Sequence, residues 1–147
     1  MNIVFVCTGN TCRSPMAEAI AKFIVKNKNI NNIKITSAGI KVTNSYPINI
    51  NAKKALNEIG VFLENHISKL LDQKIIDNSD KIITMTKNHK KFIISKFGID
   101  NKVFTLSEIA ENIFIDVEDP YMCDFNKYVE CRKILEKFIK KIKWEEL

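Results

Sequence analysis

Cys7 and Arg13 bracket five residues in the stretch Val6-Cys7-Thr8-Gly9-Asn10-Thr11-Cys12-Arg13-Ser14-Pro15. A cysteine thiolate is a strong nucleophile, and a guanidinium can grip two oxygens of a phosphate at once. Gly9 and Asn10 tolerate left-handed backbone angles, so the segment between them can turn tightly. A loop of that kind directs successive N–H groups inward. A helix start at Ser14-Pro15 adds its partial positive charge. The expected product is an anion cradle built from Thr8, Gly9, Asn10, Thr11, Cys12 and Ser14. Arg13 is expected at its rim and Cys7 at its floor. The same groups favour the thiolate form of Cys7, and the Ser14 hydroxyl can hydrogen-bond the sulfur. No Gly-Lys-Ser/Thr follows, so this is not a Walker loop. A lone cysteine here would read as a buried core residue. The full combination reads as a nucleophile placed for in-line attack on a bound phosphate.

Such chemistry also needs a general acid that can later act as a base. Asp116, Glu118, Asp119 and Asp124 crowd one stretch late in the chain. Residue types alone leave the choice among them open, and an isolated Asp-Pro pair such as Asp119-Pro120 reads equally as a turn.

Arginine is scarce: of 23 basic residues only Arg13 and Arg132 are arginine. Against that background each arginine is expected to be present for its planar, bidentate geometry. The net charge of +6 comes from scattered lysines. The densest group, Lys137, Lys140, Lys141 and Lys143, lies on one helix, but most lysines sit on solvated helix faces, so no nucleic-acid partner is expected. No apolar run is long enough to span a bilayer, and the N-terminus lacks a basic lead-in. The expected setting is the cytoplasm, away from membranes. The four cysteines match no common zinc spacing, and no metal or other cofactor is expected. Structural disulfides are disfavoured in that compartment. Cys12, in the same loop as Cys7, is expected to be a redox partner that could cap an oxidised Cys7, with packing beneath the loop as the other reading. Cys123 and Cys131 are expected to pack in or near the last helix.

These side chains need a frame. Asn2 to Val6 is apolar enough for a strand buried on both faces. A helix over 15–28 follows. Strands are expected at Ile33–Thr36, Lys81–Met85 and Lys102–Leu106. Helices are expected at 50–59, 69–78, 87–97 and 124–143, with a helical turn near 107–111. Alternation of this kind predicts a single α/β domain over 1–147: a three-layer sandwich whose four-stranded parallel sheet has helices on both faces. In such sheets ligands bind at the carboxyl ends of strands, which is where Cys7 falls.

Cys7-Thr8-Gly9-Asn10-Thr11-Cys12-Arg13-Ser14-Pro15-Met16-Ala17-Glu18-Ala19 resembles the signature of the low-molecular-weight protein tyrosine phosphatases. Ser37-Ala38-Gly39, His66-Ile67-Ser68 and Glu118-Asp119-Pro120-Tyr121 resemble further elements of that family, so the likeness covers nearly the whole chain. The resemblance implies a cysteine-dependent phosphatase acting on phosphorylated proteins as a monomer. It selects Asp119 as the residue that protonates the leaving group, and makes Asn10, Ser14, Ser37 and His66 a supporting shell. Family members acting on phosphotyrosine usually carry a bulky apolar residue where this chain has Thr11. The threonine pattern resembles the bacterial protein-arginine-phosphatase branch, whose substrate would meet Thr11 and Tyr121. That branch often has Phe at the Tyr121 position, and phosphotyrosine is the alternative substrate. Arsenate reductases share the fold but use further mid-chain cysteines, and none lies between Cys12 and Cys123. A non-catalytic phosphate-sensing module would have lost Cys7, Arg13 or Asp119, and all three are present.

Overall fold

Five consecutive residues, Ile3 to Cys7, are buried on the first strand, and their alternation splits the core in two. Ile3, Phe5 and Cys7 face a cluster with Met16, Ile20, Leu56, Leu135 and Phe138. Val4 and Val6 face a second with Ile76, Ile93 and Val103. A strand can be apolar on both sides only where both faces of its sheet are covered.

The computed structural model describes residues 1–147. The strands are β1 (Asn2–Cys7), β2 (Lys34–Gly39), β3 (Lys81–Thr84) and β4 (Val103–Thr105). The helices are α1 (Arg13–Asn27), α2 (Ile50–Asn57), α3 (Gln73–Asn78), α4 (Lys87–Phe97), α5 (Leu106–Glu111) and α6 (Phe125–Lys141). All pairings are parallel, in the order β2-β1-β3-β4. Helices α1, α2 and α6 cover one face; α3 and α4 cover the other. From β1 the chain goes to β2 on one side, and β3 enters on the other. The order therefore reverses beside the carboxyl end of β1, the place where open parallel sheets bind ligands.

Several boundaries differ from the sequence reading, each for a local reason. α1 begins at Arg13, so Ser14 lies inside its first turn; Cys12 occupies the cap position without a side-chain cap bond. β2 runs through Ser37-Ala38-Gly39, which pair with Phe5, Val6 and Cys7. β4 stops at Thr105 because Thr105 and Glu108 form a reciprocal capping box that starts α5. The helix expected over 69–78 begins only at Gln73, since Leu70 is held as a bridge to Gly39. Asp124 caps α6, its side chain accepting from Lys127 N.

Two residues fix the frame around the cradle. A Cβ on Gly39 would lie 2.6 Å from the Thr8 carbonyl oxygen and 3.0 Å from Asn10 N. Glycine is the residue that lets β2 lie this close to the loop. The buried Arg132 of α6 donates to Ala55 O at 2.8 Å and pairs with Glu58 and Glu136 at 3.1 Å. A buried cation satisfied on three sides ties α6 to α2. The planar fork explains why this position is arginine in a lysine-rich chain.

Candidate active site

The loop after β1 is held by its carbonyl oxygens. Cys7 O accepts from Ile40 N at 3.0 Å, Thr8 O from Lys41 N at 2.9 Å and Thr11 O from Asn49 N at 2.9 Å. Asn10 O accepts from His66 Nε2 at 2.8 Å. With the carbonyls turned outward, the N–H groups turn the other way. None of the backbone N–H groups from Thr8 to Ser14 donates to a protein acceptor. Buried backbone donors are nearly always paired, so a run of unpaired ones marks a place built for an anion. The uncapped first turn of α1 contributes to the same run.

Asn10 supplies the turn. It is fully buried with φ 56°, while Gly9 does not take a positive φ. The left-handed residue is thus the asparagine, whose side chain can hold the conformation in place. Asn10 Nδ2 donates to Ser14 Oγ at 2.8 Å and to Ser37 Oγ at 3.0 Å. Asn10 Oδ1 accepts from Lys69 N at 3.0 Å. His66 reaches the Asn10 carbonyl rather than its side chain. Ser37 Oγ donates in turn to the buried Glu18 at 2.5 Å, and Lys22 pairs with the other Glu18 oxygen. Cys7 Sγ lies 3.0 Å from Ser14 Oγ, so the serine that does not cap the helix is turned to the sulfur instead.

Arg13 is not at the rim. Only 4% of it is exposed, because the first residue of α1 points beneath the loop that precedes α6. Its Nη1 donates to Val117 O at 3.0 Å, and its Nη2 lies 3.3 Å from Thr8 Oγ1 and 3.2 Å from Asp119 Oδ2. Asp119 Oδ1 accepts from Tyr121 N at 3.1 Å, which turns the chain at Pro120 and sets the carboxylate at the mouth of the cradle. Asp119 is the carboxylate that meets Arg13. Asp116 accepts from Lys87 N at 2.9 Å, and Asp124 caps α6. A cavity of about 930 Å³ opens over Cys7 and is lined by Thr8, Gly9, Thr11, Cys12, Arg13, Asp119 and Tyr121, with Tyr46 and Ile50 farther out.

The other thiols differ. Burial pushes Cys12 above its ordinary range, and Tyr128 Oη lies 3.7 Å from its sulfur. Burial pushes Cys131 up to about 12. Cys123 is exposed ahead of α6 rather than packed against it. Three participants escaped the sequence reading: Glu18, the Lys69 amide and His89. His89 Nε2 lies 2.9 Å from Thr8 Oγ1. The one available signal was that the chain has only two histidines, of which the motifs claimed one.

A thiol beneath unpaired backbone donors, with a buried guanidinium and a carboxylate at the mouth, defines a cysteine enzyme of phosphate chemistry on an α/β sheet. The profile of the low molecular weight phosphotyrosine protein phosphatases matches residues 2–147, and the chain belongs to that family. It is a protein phosphatase, a hydrolase. It is 38% identical over 143 residues to a protein-arginine-phosphatase of Bacillus subtilis, covering 97% of this chain and 94% of that one. It is 37% identical to the low molecular weight protein-tyrosine-phosphatase PtpB of Staphylococcus aureus, covering 97% of each. A solved structure of the YwlE arginine phosphatase, a cysteine-to-serine mutant with a phosphorylated active-site serine, superposes with a TM-score of 0.91. It is 38% identical and covers 96% of this chain and 92% of its own.

Asn10→Ala removes three side-chain bonds from a left-handed residue at once. Turnover should fall by about tenfold or more, while the thermal unfolding transition stays cooperative. Steady-state kinetics beside a melting curve checks this. Unchanged turnover would take Asn10 out of the supporting shell.

Proposed function

We propose that the protein removes phosphate from phosphoarginine residues of proteins through a phosphocysteine at Cys7. The run of unpaired N–H groups from Thr8 to Ser14, with the Cys7 sulfur held by Ser14, carries the phosphatase part of this reading. A phosphate entering the cradle takes up those N–H groups and competes with Asp119 for Arg13. Cys7 Sγ attacks phosphorus as the bond to the leaving nitrogen breaks, and Asp119 gives that nitrogen a proton. Asp119 then takes a proton from water, which attacks the phosphocysteine. Phosphate leaves, and the returning thiolate is stabilised by Ser14. No step requires a metal or another cofactor. Gly9, with no side chain, keeps the mouth open.

Thr11 supports phosphoarginine. It lines the same cavity as Asp119 and Tyr121, and its hydroxyl can orient a guanidinium that an isoleucine would meet only with carbon. The relatives from Bacillus subtilis and Geobacillus stearothermophilus, 38% and 34% identical, are protein-arginine-phosphatases. Phosphotyrosine is the second reading. It is favoured by Tyr121, more than half exposed at the mouth where a phenyl ring would enter, and by the relative from Staphylococcus aureus. We place the enzyme in the cytoplasm as a single-domain monomer acting on phosphorylated proteins, with no nucleic-acid or membrane partner.

Cys12 is proposed as the redox partner of Cys7. Peroxide would convert the Cys7 thiolate to a sulfenic acid, and the Cys12 thiol would condense with it, forming the disulfide and releasing water. Mild peroxide should therefore give a reversible loss of activity with a mapped Cys7–Cys12 bond. Loss of activity with no such bond would remove Cys12 from this role.

Substrate choice is read by turnover on a phosphoarginine peptide and a phosphotyrosine peptide side by side, with Cys7→Ser as the blank. A clear preference for phosphoarginine is expected. Thr11→Ile should move the ratio towards phosphotyrosine by about tenfold, the scale set by adding apolar bulk to the pocket wall and removing a hydroxyl. A phosphotyrosine preference in the unmodified enzyme would leave the mechanism and overturn the substrate. An unmoved ratio in Thr11→Ile would end the argument from threonine.

A further inference from the structure

His89 holds the one buried side-chain polar atom in the chain with no hydrogen-bond partner, its Nδ1. The residue is 5% exposed in the first turn of α4, where its own amide donates to the Thr86 cap at 3.1 Å. Only the other ring nitrogen is used, and it meets Thr8 Oγ1 at 2.9 Å. An unpaired polar atom in a core is a cost that an apolar side chain would avoid. The bond to Thr8 is what offsets it.

Thr8 Oγ1 also accepts from Arg13 Nη2 at 3.3 Å, and that same nitrogen lies 3.2 Å from Asp119 Oδ2. The start of α4 is tied to both sides of this junction by its backbone. Met85 N donates to Val6 O at 3.0 Å, Val117 N donates to Met85 O at 2.9 Å, and Lys87 N donates to Asp116. We propose that His89 is a positioning residue: through Thr8 it fixes the Arg13 nitrogen that faces both the phosphate and Asp119, and so joins the cradle to the loop that carries the acid. This inference rests on Arg13 binding the phosphate, as proposed above.

The imidazole must be neutral to serve. Burial and the Arg13 guanidinium lower it to about 4, against the smaller opposing pull of Asp116 and Asp119. A charged ring would instead repel the arginine it steadies.

The test is a double-mutant cycle on turnover of an aryl phosphate and on inhibition by inorganic phosphate. It uses His89→Leu alone and in the Thr8→Val and Thr8→Ser backgrounds, with those Thr8 variants alone and Arg13→Lys as controls. His89→Leu should lower kcat/KM about tenfold and weaken phosphate inhibition in parallel. In the Thr8→Val background it should cost nothing further, and in the Thr8→Ser background it should still cost about tenfold. Melting temperatures for the set separate these effects from stability, and His89→Gln serves if the leucine variant does not fold. An impaired Arg13→Lys with His89 effects that add to those of Thr8→Val, or that leave phosphate inhibition unmoved, would overturn the inference alone. A silent Arg13→Lys would overturn it together with the assignment of Arg13.

Discussion

The site depends on a backbone that leaves its own donors unsatisfied. A loop whose N–H groups turn to one side without protein acceptors costs free energy unless something else holds its shape. Here that work falls to the carbonyl side. Ile40, Lys41 and Asn49 donate amides to the loop from outside, and His66 donates a ring nitrogen. The left-handed Asn10 sits at the centre, held through its side chain by Ser14, Ser37 and Lys69. The features of the site follow from keeping that concavity open while the fold around it closes.

The sheet explains why the cradle can be so closely defined. β1 is the inner strand beside the reversal point, so the loop leaving it is gripped from both sides. The β2 side contributes Ser37 and the close approach at Gly39. The β3 side contributes His89 and, through Met85, the anchor for Val117. The chain reaches the carboxylate only after α5, yet Asp119 arrives opposite Arg13 because Val117 is hydrogen-bonded to both Met85 and the guanidinium. Asp119 is thus positioned by the neighbourhood of Cys7. Arg13 and Asp119 face each other at 3.2 Å, which compensates a buried cation.

Much of this was legible in the sequence. The apolar run of Asn2 to Val6, the alternation of strands and helices and the Cys7-to-Pro15 stretch place the cradle at the end of the first strand. The family likeness then points to Asp119, Ser37 and His66. What the sequence hides is long-range pairing. Arg13 reads as a rim residue from its position in the loop, but its partner Val117 lies 104 residues away. Thr8 and His89 are 81 residues apart, and neither belongs to a recognisable motif with the other. Ser14 reads both as a helix cap and as a partner of the Cys7 sulfur, and only the second role is kept. The sulfur of Cys7 and the amide of Asn10 compete for its hydroxyl and win. Periodicity fixes which face a side chain takes, and cannot say which distant atom it meets.

If the unpaired N–H groups hold phosphate over Cys7, its sulfur takes that phosphate during turnover. Rapid quenching of the enzyme during turnover of a phosphorylated peptide, followed by mass mapping, tests it most directly. Asp119→Ala should slow both the formation of the intermediate and the attack of water on it. Phosphate should be found on the Cys7 sulfur during turnover, and Cys7→Ala should give no phosphorylated enzyme. Turnover without any covalent phosphate, or phosphate mapped to another residue, would contradict it.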